Sequence, residues 1–254
     1  MGKLWYLQKQ HAVRYASLPP EENPLHNLNE LAVKPIQSLL EHNSVYHSGR
    51  LSFYQSIPEH SRFDYVHDIL WADAKKYTSP DEFVERNIYF FSTPTSEALV
   101  QSIPAFKLHN VPALAFQPPT SAFCLLFATF SEIPHENWTT PELKSWISSI
   151  TEQASSRSFP ELAHQNKQWN QEEHRTATIQ WSKAWNKLIH QYLRWALMAA
   201  MPGPDGAESM RILGRDESLK RLNLAEELIL TRAEEERGKK VADNEEGEIV
   251  VIKP

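Results

Sequence analysis

The sequence predicts an all-α protein: two consecutive helical bundles followed by a polar, disordered tail. Three observations carry this. Apolar residues recur at helical rather than alternating spacing along most of the 254 residues. Strong helix starts and stops punctuate the pattern. No internal period of 20–50 residues is present, which disfavours a helical solenoid.

The elements follow in chain order. Leu4, Trp5, Leu7, His11 and Tyr15 give a first helix over about 3–16, stopped by Ser17-Leu-Pro-Pro. A second helical region, about 24–42, carries Leu28, Leu31, Leu39 and Leu40, and Pro35 should kink or split it near Lys34. Residues 43–60 read as a connector. Phe63, Val66, Ile69, Leu70 and Ala74 mark a helix over 61–76. Ser79-Pro80-Asp81-Glu82 starts the next one, with a hydroxyl cap, a proline at the first position and acids in the first turn. That helix is expected to run unbroken through Phe90 and Phe91 to Ser92. The proline-spaced stretch 94–119 admits a helix over 95–103 and extended chain over 105–116. Residues 121–130 read as a buried helix, and Ile133-Pro-His-Glu-Asn-Trp as a linker at the domain boundary.

Thr140-Pro141-Glu142 repeats the cap, proline and acid start, with Leu143, Trp146, Ile147 and Ile150 behind it. The polar stretch 155–170 is expected to be a loop with a short helix. Residues 171–200 contain neither Gly nor Pro and predict a helix of roughly 40 Å at about 1.5 Å per residue. After Arg237 the chain turns polar and is expected to be disordered. The expected divisions are 1–20, 21–135, 136–237 and 238–254.

Composition excludes several functions. The net charge is −6 and the chain holds eight Trp, so it has the material for a core but not the overall charge of a generic DNA or RNA binder. The acids are uneven: residues 226–248 hold eight Glu and one Asp against four Lys or Arg, leaving a more balanced body. The single cysteine, Cys124, sits in an apolar run and reads as a small buried hydrophobe, and one cysteine forms no disulfide framework. No 18-residue apolar run suggests a membrane span. There is no glycine between Gly49 and Gly203, so no phosphate-cradling loop can be written, and no HExxH or GxSxG motif occurs. The histidines are scattered without metal-ligand spacing.

Glycine returns in a punctuated basic module, residues 190–222, which holds three of the seven glycines. Here Tyr192-Leu-Arg-Trp-Ala-Leu precedes Pro202-Gly-Pro and then Ile212-Leu-Gly-Arg-Asp-Glu-Ser-Leu-Lys-Arg-Leu222. This resembles the C-terminal anticodon-binding region of bacterial-type glutamyl-tRNA synthetases, whose pattern is roughly LR-x-AL-[TS]-G, GP and LLGRE-x-x-L-x-RL. The opening Lys3-Leu-Trp-Tyr-Leu-Gln-Lys-Gln-His is similar to that family's segment after the KMSKS loop, and residues 62–91 to its intervening helices. The 94–119 stretch and the tail are similar to a fungal mitochondrial member.

The resemblance implies a class I synthetase helical fold that clasps the anticodon loop of tRNA(Glu). Unstacked loop bases are where proteins read RNA sequence, and the planar arginine fork suits them. It implies RNA contacts from Arg194 and Arg215, and from their surroundings Met198, Gly203, Arg211 and Lys220, with Lys3 and Lys9 on the stem side. Two departures stand out. The family's [TS]-G is Met198-Ala199 here, losing a hydroxyl and a glycine, and its LGRE glutamate is Asp216. The family activates glutamate with ATP and magnesium in a Rossmann-type domain carrying HIGH-like and KMSKS motifs. Neither motif occurs in this chain, which is therefore expected to bind no cofactor and to be inactive alone. It reads as the tRNA-binding part of a truncated or split synthetase, partnered by a separate catalytic half, and mitochondrial by resemblance or otherwise cytoplasmic. A helical protein-interaction module that has lost RNA reading is the alternative from another class.

Overall fold

The computed structural model describes residues 10–11, 13–14, 28–42, 51–106, 108, 121–165 and 169–247, with the backbone alone for 121–122, 160–165 and 236–247. Lys3, Lys9, most of the first predicted helix and most of the 105–116 stretch lie outside these residues; of that helix, 10–11 and 13–14 are described and are helical. The described residues are predominantly helical, and no strand occurs among them.

The elements are α1 (Lys34–His42), α2 (Ser52–Ser56), α3 (Glu59–Asp73), α4 (Pro80–Arg86), α5 (Ile88–Phe91), α6 (Ser96–Ser102), α7 (Ser121–Ser131), α8 (Thr140–Gln165), α9 (Gln171–Met198), α10 (Gly206–Leu213) and α11 (Arg215–Gly247). A π-helical turn, Asn29–Val33, precedes α1, and the Lys34 N–H donates to the Asn29 carbonyl. Pro35 explains it: a proline has no N–H to donate and its ring crowds the carbonyl four residues back, which the wider turn accommodates. Ser79 caps α4 through the Glu82 N–H, and Thr95 caps α6 through the Ala98 N–H.

Four expectations are corrected. The connector over 43–60 contains α2 and the start of α3. The helix from Ser79 breaks at Asn87, because the Asn87 amide competes for local partners. Its Nδ2 donates to Asp73 Oδ2 at 3.1 Å and to the Phe83 carbonyl at 3.1 Å, and its Oδ1 accepts from Tyr89 at 3.3 Å. The stretch 155–165 is helix, not loop. Its serines belong to the α8–α9 interface, where Trp181 Nε1 donates to Ser158 Oγ at 3.0 Å and to the Ser155 carbonyl at 3.1 Å, while Trp185 Nε1 reaches Ser158 Oγ at 2.9 Å. The tail after Arg237 continues α11 to Gly247.

Helices α8 and α9 pack antiparallel, and α10 and α11 close over them. The core runs on across residue 135. Trp195 Nε1 donates to the Leu99 carbonyl at 2.9 Å, and Tyr192 stacks on Phe123 with ring centroids 4.6 Å apart. In the segment read as a linker, Trp138 is buried and its indole donates to the Met210 carbonyl at 2.9 Å. Cys124 is half-buried. Burial first, and then the Glu226 carboxylate, raise its thiol to about 11, so it is protonated at neutral pH and unsuited to nucleophilic work.

Candidate nucleic-acid interface

Helix α9 is framed by specific ends. Asn170 Oδ1 accepts from the Glu172 and Glu173 N–H groups, both at 3.0 Å, and Glu173 Oε2 accepts from the Asn170 N–H at 2.8 Å, a reciprocal capping box. At the other end Ala199 turns left-handed (φ 48°, ψ 42°) and Ala200 follows (φ 63°). The Ala199 N–H returns to the Trp195 carbonyl at 2.8 Å, and the Ala200 N–H to the Arg194 carbonyl at 3.3 Å, which satisfies carbonyls the helix leaves open. Pro202 and Pro204 cannot continue a helix. Asp205 then caps α10, accepting from the Glu208 N–H at 2.9 Å. Gly214, at φ 77°, takes the turn into α11.

The predicted contact residues divide sharply. Arg194 is partly exposed at the end of α9, and its hydrogen bond to the Met201 carbonyl is long, 3.4 Å. Met201 beside it is 39% exposed, so the guanidinium lies next to an open apolar surface. Lys220 is exposed on α11, 3.9 Å from Glu217.

The others are taken up by the protein itself. Met198 is fully buried and its sulfur accepts from Ser209 Oγ at 3.5 Å; it fills the core and presents nothing to a base. Gly203 lies hard against Tyr89, where a Cβ would stand 1.8 Å from the hydroxyl. Arg211 binds Glu208 through two nitrogens and Asp68 at 2.8 Å, tying α10 to α3. Burial lowers the Arg211 pKa, but Glu208 and Asp68 outweigh it and raise the value above the ordinary one. Arg215 donates to the Ile133 carbonyl at 2.9 Å and the Ser131 carbonyl at 2.8 Å, closing the end of α7. Geometry thus leaves Arg194 as the predicted arginine least engaged by the protein, with one long hydrogen bond to a backbone carbonyl.

Two groups escaped the sequence reading of the site. Arg221 is 1% exposed and organises the interior behind the turn. Its Nε donates to Glu217 Oε1 at 2.8 Å, Nη1 to the Tyr89 and Leu197 carbonyls, both at 2.7 Å, and Nη2 to the Ser92 carbonyl at 3.1 Å. The second group is His190 with Lys183 and Lys187, exposed on α9 at helical spacing from Arg194. Burial lowers the His190 pKa, with Arg194 and Lys144 adding to the effect and Asp205 opposing it, so the ring is neutral near pH 7. The signal that would have found this group is the absence of any acid between Glu173 and Asp205.

The resemblance implies ATP and magnesium for the whole enzyme. Among the described residues no three His, Cys, Asp or Glu side chains converge as a metal site.

Residues 139–226 match the family model described as an anticodon binding domain, a span covering α8, α9, α10 and the first turns of α11. No curated protein and no solved structure matches the chain. The match supports an aminoacyl-tRNA synthetase anticodon-binding region with tRNA as its partner.

Proposed function

We propose that this chain binds the anticodon loop of tRNA(Glu) as part of a mitochondrial glutamate–tRNA ligase whose catalytic chemistry lies outside these residues. The observation that carries the reading is the end of α9, inside the matched span. There a capped, rigid turn presents the Arg194 fork beside the exposed Met201 and Pro202. Splayed loop bases can stack on the guanidinium plane and accept its two parallel hydrogen bonds. Support for the glutamate identity comes from the LR-x-AL, GP and LGR pattern of residues 193–215.

Fluorescence anisotropy with a labelled anticodon stem-loop tests this. Arg194→Ala should weaken binding by about 1–3 kcal/mol, the range for bidentate and stacking base contacts, and leave thermal stability nearly unchanged. Equal binding of stem-loops with unrelated anticodons would sink the glutamate identity. Glutamylation by this chain alone with ATP would sink the assignment of catalysis elsewhere. The protein-interaction alternative draws on Arg211 and Arg215, whose forks are engaged within the protein. It gains if no stem-loop binds at low salt.

A further inference from the structure

Helix α9 carries a second feature that anticodon reading does not use. Lys183, Lys187, His190 and Arg194 follow one another at spacings of four, three and four. At 3.6 residues per turn these side chains fall within about 60° of one another, on a line roughly 16 Å long. Lys183, Lys187 and His190 are exposed and Arg194 is partly so. Exposed helical faces elsewhere in the chain mix charges: α11 alternates Asp216, Lys220 and Glu227 on its surface. Beyond its capping turn α9 has no acid at all, in a protein whose net charge is −6. The acid that meets the C-terminal end, Asp205, is held by Lys144 at 3.0 Å and by the Glu208 N–H. The stripe is therefore a local cationic field against the charge of the whole molecule.

We infer that this face of α9 is a track for an RNA phosphate backbone, with Lys183 and Lys187 each neutralising a phosphate of the stem that continues from the loop held at Arg194. The inference rests on the anticodon-loop reading, because the line of exposed side chains leads from the two lysines past the neutral His190 ring to Arg194. Lysine is well suited to such a track, since a strongly hydrated point charge binds phosphate without demanding a base geometry. The two lysines add affinity that is independent of sequence and sensitive to salt, while discrimination between anticodons stays at the Arg194 end.

The experiment measures stem-loop affinity against salt for three proteins. These are the wild type, Lys183→Gln/Lys187→Gln, and a charge-matched control, Lys75→Gln/Lys76→Gln, on the exposed 3₁₀ turn after α3. Each lost phosphate contact lowers the slope of log affinity against log salt by about 0.7–0.9, so the α9 variant should be shallower by about 1.4–1.8. Between 50 and 200 mM salt the wild type should then lose about tenfold more affinity than this variant. The preference between anticodons should be the same in both, and the control should keep the wild-type slope. All four lysines are exposed, so circular dichroism melts should coincide. An α9 variant with the wild-type slope overturns the track while leaving the anticodon reading intact, and so does a control that loses the same slope. A wild type that binds no stem-loop even at low salt overturns both readings.

Discussion

At the centre of the module Arg221 is enclosed: one carboxylate and three backbone carbonyls from α5, the segment after it and the end of α9 take up its guanidinium, and Phe53 lies 5.7 Å beneath it. At the rim, Arg194 has the same side chain on the neighbouring helix and meets one distant carbonyl. Both stand in the basic module that resembles an RNA-binding motif. Three of its arginines, Arg211, Arg215 and Arg221, hold helices together, and the cations left to meet a ligand are Lys220 on α11 and those along the outer face of α9. Arginine is a good interior tie because its five donors reach several carbonyls at once, which a short turn between helices leaves in need of partners. A basic cluster in sequence is therefore divided by burial into scaffold and contact surface.

Removing the interior tie should have the largest effect. Arg221→Met leaves the buried Glu217 with only its Thr93 hydrogen bond and the distant Lys220 ammonium at 3.9 Å, and frees the Tyr89, Leu197 and Ser92 carbonyls. Breaking one side of a buried pair costs about 3–5 kcal/mol, and urea unfolding should show a loss in that range. Adding Glu217→Gln should restore part of it, since the unpaired charge goes but the carbonyls still lack a donor. Arg194→Ala should shift the same curve by less than about 0.5 kcal/mol, as surface substitutions do. Comparable losses from both would erase the distinction between interior and rim.

Gly203 gives the next largest effect, and it asks whether a motif glycine serves the ligand or the fold. A methyl group there meets the Tyr89 hydroxyl at 1.8 Å and the ring carbon beneath it at 2.8 Å. Gly203→Ala should cost about 1–3 kcal/mol, the usual range for forcing extra volume into a packed site. Tyr89→Phe in the same chain should relieve part of this, because the closest atom is gone while the ring remains. A Gly203→Ala protein as stable as the wild type but weakened in RNA binding would move this residue from the scaffold to the contact surface.

Much of the fold was legible, and what was missed has a common cause. The start at Ser79, the length of α9 and the punctuation from Met201 to Gly214 rest on local chemistry, namely caps, prolines and apolar spacing; α8 does begin at Thr140, but the Thr140 hydroxyl goes to Glu208 Oε2 at 2.6 Å rather than capping the helix. The helix through 155–165 was hidden because its serines read as loop residues; two tryptophans more than twenty residues away satisfy them. The break at Asn87 depends on Asp73, fourteen residues back. The site was less legible for the same reason. Nothing local to Arg211, Arg215 or Arg221 says that Asp68, Ser131 or Tyr89 will reach them first. The stripe on α9 was within reach, since helical spacing and the run without acids are both visible along the chain.

The smallest effect concerns the turn that presents Arg194. Ala199 and Ala200 are both left-handed, where an L side chain pays a steric penalty that glycine does not. The resembling pattern has glycine at residue 199. Ala199→Gly should relieve roughly 1 kcal/mol of backbone strain, offset in part by the greater freedom glycine gives the unfolded chain, for a net gain below about 1 kcal/mol. The matched control is Ala196→Gly, inside the buried stretch of α9, which should destabilise by about 1 kcal/mol or more because a helical glycine loses conformational freedom and its methyl contacts. Thermal melts of the two variants should therefore move in opposite directions. A destabilised Ala199→Gly would mean that the turn is held by packing around the alanine methyl. Unchanged stem-loop affinity in the stabilised variant would show that the strained turn already holds Arg194 in its binding position.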